Sequence, residues 1–298
     1  MIINSVETEV LSLVEKVKSN IDKTVKYVFK TKDNLIVEVN YIDNNTGKDI
    51  ICVASQTMCS MACSFCHLTD YIGKIKLRNL TSSEIVDSVT YIVDDLKLNQ
   101  RTLLISYMGC GEPLLNYPNV EKSILVLMKI YSNIRFGLST MLPKGNWKAI
   151  IEAAQHVSHF EIPLKMHLSL HYTQDAHRNE KMPNATNIKA SIAALEFYKE
   201  ITGQPVEVHY TLIKNENDSD DDISNLKQLL KNRGIGIKFL RFNDKASSQN
   251  EKTEITRIYT FMEVLRAHGI TAEYYEPPGK DVGASCGQFL FDQYTKLD

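Results

Sequence analysis

Long apolar runs are missing from this 298-residue chain, and no stretch approaches the roughly 18 uninterrupted apolar residues of a membrane span. The opening MIINSVETEV lacks the basic and then apolar layout of a signal peptide, so the cytoplasm is the expected compartment. A surplus of one charge is missing as well. With a formal charge of −2 and a pI near 6.5 there is no global signature of a nucleic-acid binder, and any such contact has to rest on a local basic patch. Neither a sequence repeat nor a long linker is present. Cysteine is scarce, six in all, yet four of the six fall between residues 52 and 66. In a reducing compartment such crowding favours metal binding or redox chemistry over structural disulfides. An apolar share of 43% is ample for a buried core, in one large domain or one domain with an appendage.

Periodicity orders the elements. Val6, Val10, Leu13, Val14, Val17 and Ile21 recur at helical spacing and predict an amphipathic helix over 5–21. Alternating runs at 25–31 and 35–42 flank a Lys-Asp-Asn turn and predict a hairpin. From residue 50 onward, short apolar strands alternate with helical segments. Six βα units are expected, with strands at 50–54, 102–107, 136–140, 165–170, 206–212 and 237–242. Thr81 and Glu84 form a capping box at the start of the first helix of this series, and others begin near Asn119, Asn146, Ile188, Asp222 and Thr253. Consecutive right-handed βα units curl a sheet into an open partial (β/α)6 barrel whose site lies at the carboxyl ends of its strands. The expected division is an appendage over 1–48 and a core over 49–298. The acidic residues Asp218, Asp220, Asp221 and Asp222 read as a solvated loop and a charged helix N-terminus.

The chemistry concentrates in Cys52-Val-Ala-Ser-Gln-Thr-Met-Cys59-Ser-Met-Ala-Cys63-Ser-Phe-Cys66, directly after the first strand of the series. Three thiolates at CxxxCxxC spacing, Cys59, Cys63 and Cys66, can each ligate one iron of a [4Fe-4S] cluster and leave the fourth iron open. An open iron can chelate the amino and carboxylate groups of S-adenosylmethionine (SAM), whose reductive cleavage yields a 5′-deoxyadenosyl radical. The competing reading is a zinc site, which wants four closed ligands, with Cys52 or His67 as the fourth. His67, His156, His159, His167, His177, His209 and His268 show no pairing at metal-ligand spacing.

Phe65 before the last cysteine, and a cysteine loop placed after strand one, resemble the radical SAM superfamily. Tyr107-Met-Gly-Cys-Gly-Glu-Pro-Leu114 resembles its GGEPL element, whose glycines let backbone approach a ligand. Within that superfamily the chain resembles the RlmN and Cfr RNA adenine methyltransferases over roughly residues 35–290. Their CVSSQxGCxxxCxFC stands here as CVASQTMCSMACSFC, their RNL as Arg78-Asn79-Leu80, their MGxGEPLLN as residues 108–116, and their LST and SLH at 138–140 and 169–171. Their DIDAACGQ stands as Asp281-Val-Gly-Ala-Ser-Cys286-Gly-Gln288.

The resemblance implies that Gly111, Glu112, Ser139, Ser169, Leu170, His171 and Asn243 contact SAM. It also implies two catalytic cysteines, Cys52 and Cys286, which end a turnover as a disulfide, and Glu38 as proton acceptor. Cys110 sits at a variable position and reads as structural. The implied partners are an RNA presenting an unpaired adenine and an electron donor such as flavodoxin or ferredoxin, acting on a monomer. Lys74, Lys76 and Arg78, with Arg178 and Lys181, form the candidate phosphate-binding patch. Two other readings stay open: the same mechanism on another heteroaromatic or peptide substrate, and an Fe-S or zinc module that binds nucleic acid without turnover. A glycine before the first cluster cysteine is replaced by Met58, and the glycine after LST by the longer 141–145 segment.

Overall fold

The computed structural model describes residues 10–43, 47–243 and 250–284. Ten strands form one sheet whose spatial order is the order in the chain. They are β1 (Leu11–Lys18), β2 (Val25–Thr31), β3 (Ile36–Ile42), β4 (Lys48–Cys52), β5 (Thr102–Tyr107), β6 (Ile134–Thr140), β7 (Leu164–Ser169), β8 (Val206–Leu212), β9 (Gly236–Arg241) and β10 (Ala272–Tyr275). Strands β1 to β4 pair antiparallel, and every pair from β4 to β10 is parallel. Parallel pairs need crossovers, and these carry the helices α1 (Ser82–Leu96), α2 (Tyr117–Ile130), α3 (Trp147–His159), α4 (Asp175–Lys181), α5 (Ile188–Thr202), α6 (Asp220–Leu230) and α7 (Ile255–Ala267). Among the described residues β1 and β10 are the edges, so the barrel stays open.

Alternation along each strand separates two faces. Ile51, Ile105, Phe136, Leu138, Leu168, Val208, Tyr210, Ile237 and Phe239 point one way and are buried with Ile85, Val89, Ile124, Ile150, Leu195 and Phe261 of the helices. Burial of side chains of this size stabilises the fold by about 1.5–3 kcal/mol each. The opposite face is polar, and it carries the site. Thr81 and Glu84 form the expected capping box on α1, and Ser219 with Asp222 forms a second one on α6.

Two elements differ from the sequence expectation. The described part of the segment predicted as a helix over 5–21 is strand β1, paired with β2 through a bulge between Leu13 and Glu15. Its apolar residues fit both periods, and the unpaired backbone of β2 beside it decides the outcome, because an extended partner satisfies donors that a lone amphipathic helix leaves without a packing surface. Strand β10 is a seventh parallel strand that sequence reading did not reach. At four residues, Ala-Glu-Tyr-Tyr before Glu-Pro-Pro, it is too short to show a period.

Candidate active site

Register places the polar face residue by residue. Asn40 of β3 sits opposite Cys52 of β4, Cys52 opposite Ser106, and Ser106 opposite Gly137. Period two then brings Glu38, Ser139, His167, Ser169, Glu207 and His209 onto the same face as Cys52. Ser139 and Ser169, on adjacent strands, share a hydrogen bond of 3.0 Å at the carboxyl end of the sheet.

The loop after β4 is folded inward. Cys63 is buried, Cys59 and Cys66 are half-buried, and a 3.0 Å bond from the Cys66 N–H to the Cys63 carbonyl closes the turn between two of them. Ala62 takes the left-handed conformation at φ 55°, which turns the chain between the first two thiols. Burial pushes the Cys59 thiol up to about 12 and the Cys63 thiol well above its ordinary value, and the neighbouring thiols add to both shifts. Three mutually interacting thiols in a water-poor loop are a donor set for soft metal, which displaces the protons on binding. No disulfide joins any two of the described cysteines. Cys110 is buried in the main core.

The glycine turn after β5 is locked onto this loop. The Gly109 N–H donates to the Val53 carbonyl (3.0 Å), and the Ser55 and Gln56 N–H groups donate to the Cys110 carbonyl (2.8 and 3.2 Å). A Cβ at residue 109 would lie 2.7 Å from the Val53 carbonyl oxygen, so only glycine permits the approach. The turn delivers Glu112, fully enclosed, whose oxygens accept from the N–H groups of Leu114 and Met141, both at 3.1 Å. Burial nonetheless pushes its carboxyl up to about 7, a sign that a cationic partner is wanted there.

The raised value makes a prediction. Between its ordinary value of 4.5 and about 7 the folded state holds a proton that the unfolded chain has released, so rising pH destabilises the fold. Raising the pH from about 5 to about 8 is expected to cost the wild type on the order of 3 kcal/mol more stability than Glu112→Gln. Calorimetry of both proteins across that range checks the difference.

His171 sits at φ 57° and accepts from the Thr211 N–H through Nδ1 at 3.0 Å. Its carbonyl accepts from Asn217 Nδ2 at 2.6 Å. Burial pulls its imidazole down to about 3, so it is neutral. The ring meets Phe65 of the cysteine loop edge-on at 5.2 Å between centroids, which ties the end of β7 to that loop. Leu170 has its side chain in the core and its N–H on the His209 carbonyl at 3.0 Å, so only its backbone faces the site. Asn243 is buried just beyond β9.

Glu38 is 3% exposed and forms an ion pair with Lys26, itself fully buried. It is not an exposed strand carboxylate. Lys26 also donates to the Gly283 carbonyl at 2.6 Å, and Asn40 Nδ2 donates to the Ala284 carbonyl at 3.2 Å. Farther back, Asp22 accepts from the Gly279 N–H, and Asp281 accepts from Ser19 Oγ and the Asn20 N–H, all at 2.7 Å. The C-terminal segment is thus fastened along β2 and β3 and reaches Ala284 over Asn40, the residue opposite Cys52. Cys286 lies outside the described residues, two positions further on. Lys26 was not singled out from sequence, because a lysine in an alternating strand reads as solvent-facing.

The expected basic patch is largely spoken for. Arg78 binds Asp33 and Glu84, Lys181 binds Glu216 at 3.1 Å, and Arg178 is 1% exposed. His167 and His209, far apart in sequence, meet around Glu207 with ligand atoms close enough for a metal ion. Lys165 and Lys238 already donate to the same Glu207 oxygen at 3.0 and 3.1 Å, and two ammonium groups there oppose a further cation.

A model of the radical SAM superfamily matches residues 53–226. In a solved radical SAM methyltransferase from Sphaerobacter thermophilus, 28% identical, 94% of this chain and 81% of that one superpose with a TM-score of 0.85. SuiB of Streptococcus suis, solved with S-adenosylmethionine, shares the fold at a TM-score of 0.54 and 13% identity, over 76% of this chain and 49% of that one. The fold and the cysteine loop define a radical SAM enzyme, which uses a [4Fe-4S] cluster and SAM.

Among curated proteins, the chain is 34% identical to a probable dual-specificity RNA methyltransferase RlmN of Pseudothermotoga lettingae, over 94% of this chain and 79% of that one. The Endomicrobium trichonymphae protein of the same description is 30% identical, over 93% and 79%. This chain belongs to the RlmN family. Among the described residues no helix is long and apolar enough to cross a membrane.

Proposed function

We propose that this protein methylates a ring carbon of an unpaired adenine in RNA by way of an S-methylated Cys286. The observation that carries the reading is the fastening of the C-terminal segment by Lys26 and Asn40 beside Cys52, on the face that also bears Glu38 and the serines of the SAM side. Cys59, Cys63 and Cys66 hold the cluster, and the cluster and SAM, when bound, supply a 5′-deoxyadenosyl radical. Glu112 takes the amino group of SAM, which relieves its burial as a lone carboxylate. Ser139, Ser169, His171, Asn243 and the backbone at Gly111 and Leu170 line the rest.

An adenine carbon is a poor nucleophile and a thiolate is a good one, so Cys286 accepts the methyl group first. The methyl donor would leave as S-adenosylhomocysteine, and transfer of a hydrogen atom from the S-methyl to the 5′-deoxyadenosyl radical, giving 5′-deoxyadenosine, would leave the carbon radical that bonds to the ring. Glu38 then accepts the ring proton, while Lys26 steadies its charge, and the one electron left on the ring adduct passes to the external one-electron carrier. Cys52 attacks the sulfur of Cys286, the methylene carbon expelled from it takes up a proton to become the methyl group of the freed base, and a disulfide is left for two-electron reduction. Bases reached this way must leave the stack, which an unpaired adenine does cheaply. A one-electron donor of the flavodoxin or ferredoxin class completes the cycle, and the protein acts as a monomer in the cytoplasm.

The test is peptide mass spectrometry of Cys286 after anaerobic incubation of the cluster-loaded protein with SAM and reductant, alongside nucleoside analysis of RNA from cells with and without the protein. Added carbon on Cys286 and a new methyladenosine support the reading. SAM cleavage with an unmodified Cys286 overturns it.

Gly111 offers a sharper check on the SAM side. It sits at φ 104°, and a Cβ there would lie 2.6 Å from Ser55 Oγ and 2.8 Å from the Gln56 nitrogen. Gly111→Ala is expected to strain the turn by about 1–3 kcal/mol, and equilibrium dialysis should show SAM binding weakened by about tenfold or more.

A further inference from the structure

Arg178, on α4, is the most deeply buried charge in the cysteine-loop region. Its side chain is 1% exposed, and it makes no ion pair among the described residues. Its guanidinium donates to the Met141 carbonyl at 3.1 Å and, more weakly, to those of Ser169 (3.4 Å) and Leu170 (3.5 Å), and it touches Met182 Sδ at 3.4 Å. Its Nε has no partner at all. A cation removed from water without an anion carries a large desolvation cost, and three carbonyl dipoles recover only part of it. A cost of this size points to a negative charge that the bound state supplies.

The geometry says which one. Cys63 Sγ lies 3.8 Å from Met141 Sδ, on the residue whose carbonyl Arg178 holds. Cys63 and Met182 also pack in one apolar cluster with Met61, Tyr172 and Ala185, and the Ser64 N–H is bonded to the Lys181 carbonyl at 2.9 Å. Helix α4 is therefore docked on the cysteine loop, with the guanidinium bonded to Met141 and Met182, both of which pack against Cys63 or its cluster. Arginine suits the place because its guanidinium stays protonated and its planar fork of donors reaches several carbonyls at once.

We propose that Arg178 is the buried counter-charge of the [4Fe-4S] cluster and raises its reduction potential. The inference rests on the reading that Cys59, Cys63 and Cys66 hold that cluster. Three thiolates leave the oxidised centre with a net negative charge, and the single electron taken from an external one-electron donor adds another. A fixed cation in a low-dielectric surrounding favours the more negative, reduced form. Arg178 would thus make the centre easier to reduce, acting through its charge.

The experiment is a redox titration of the cluster-loaded full chain, followed by electron paramagnetic resonance, without SAM, for wild type, Arg178→Gln and Arg178→Lys. Iron and sulfide content and the resonance of the reduced wild type establish first that the cluster is present; failure at that stage removes the cluster reading itself. With the cluster present, Arg178→Gln is expected to lower the ratio of reduced to oxidised centres about tenfold at a given applied potential, equivalent to about 59 mV for one electron. Arg178→Lys keeps the charge and is expected to stay within about a third of that shift. If Arg178→Gln does not load a cluster, Arg178→Lys still decides, because a full tenfold change in it assigns the effect to the carbonyl bonds and overturns the proposal. An unchanged potential in Arg178→Gln overturns it too.

Discussion

With Cys52 replaced by alanine, the enzyme is expected to stop after its carbon joins the adenine ring and to accumulate as a covalent protein–RNA species. Nothing else among the described residues on that face offers a thiol: Cys59, Cys63 and Cys66 belong to the loop, and Cys110 is buried in the core. Cys52 ends β4 opposite Asn40, whose amide holds the Ala284 carbonyl, so the last described residue of the chain, two positions before Cys286 in sequence, is bonded to the neighbour of Cys52. Without that thiol the sulfur–carbon bond from Cys286 to the product has no attacking group, and free methylated RNA should fall to background. Denaturing electrophoresis of labelled RNA checks it. Full release by Cys52→Ala would remove this residue from the mechanism. Cys286→Ala should behave differently, giving neither adduct nor product, because the methyl group is never taken up.

Cys63→Ala carries an effect of similar size for another reason. Cys63 is the most deeply buried of the three loop thiols, and its carbonyl accepts both the Cys66 N–H and Thr69 Oγ, so it anchors the turn that sets the spacing of the others. Two thiolates leave a four-iron centre under-ligated, and iron content and SAM cleavage to 5′-deoxyadenosine should both drop to background. Proton linkage adds a second signature. Burial holds the thiols of Cys59 and Cys63 protonated at neutral pH, Cys59 titrating only near 12, so binding iron must displace both protons. Iron affinity of the wild type should therefore rise with pH, by about a hundredfold per unit for two protons. Competition with a chelator at about pH 7 and about pH 8 measures it. An affinity independent of pH would mean that these thiols are not the ligands.

Much of this was legible in the chain. CxxxCxxC after a strand, glycines flanking Glu112, and Ser169 and His171 at the end of a later strand name their chemistry through residue type and spacing, because local loops create it. The parallel core from β4 to β9 was legible for the same reason, since an apolar run of five or six residues between amphipathic helices has few other uses. Strand β1 was not, because its apolar residues satisfy two periods and the choice belongs to a partner strand. The standing of individual charges was least legible. Arg78, Lys181 and Arg178 look alike in sequence as candidates for phosphate contact. In the fold, the first binds two carboxylates, the second binds Glu216, and the third is sealed under the cysteine loop.

By itself, then, the sequence determined the βα order, the thiol loop, the glycine turn and the family, all set by neighbours within a dozen residues or by the period of a single element. Only the tertiary structure decided that Lys26 pairs with Glu38 while holding the Gly283 carbonyl, that His167 and His209 share Glu207 with two lysines, and that Arg178 lies unpaired beside Cys63. Most of these pairings join residues from a dozen to hundreds of positions apart. They follow from which strands become neighbours and which face turns inward, and a local pattern holds no record of either.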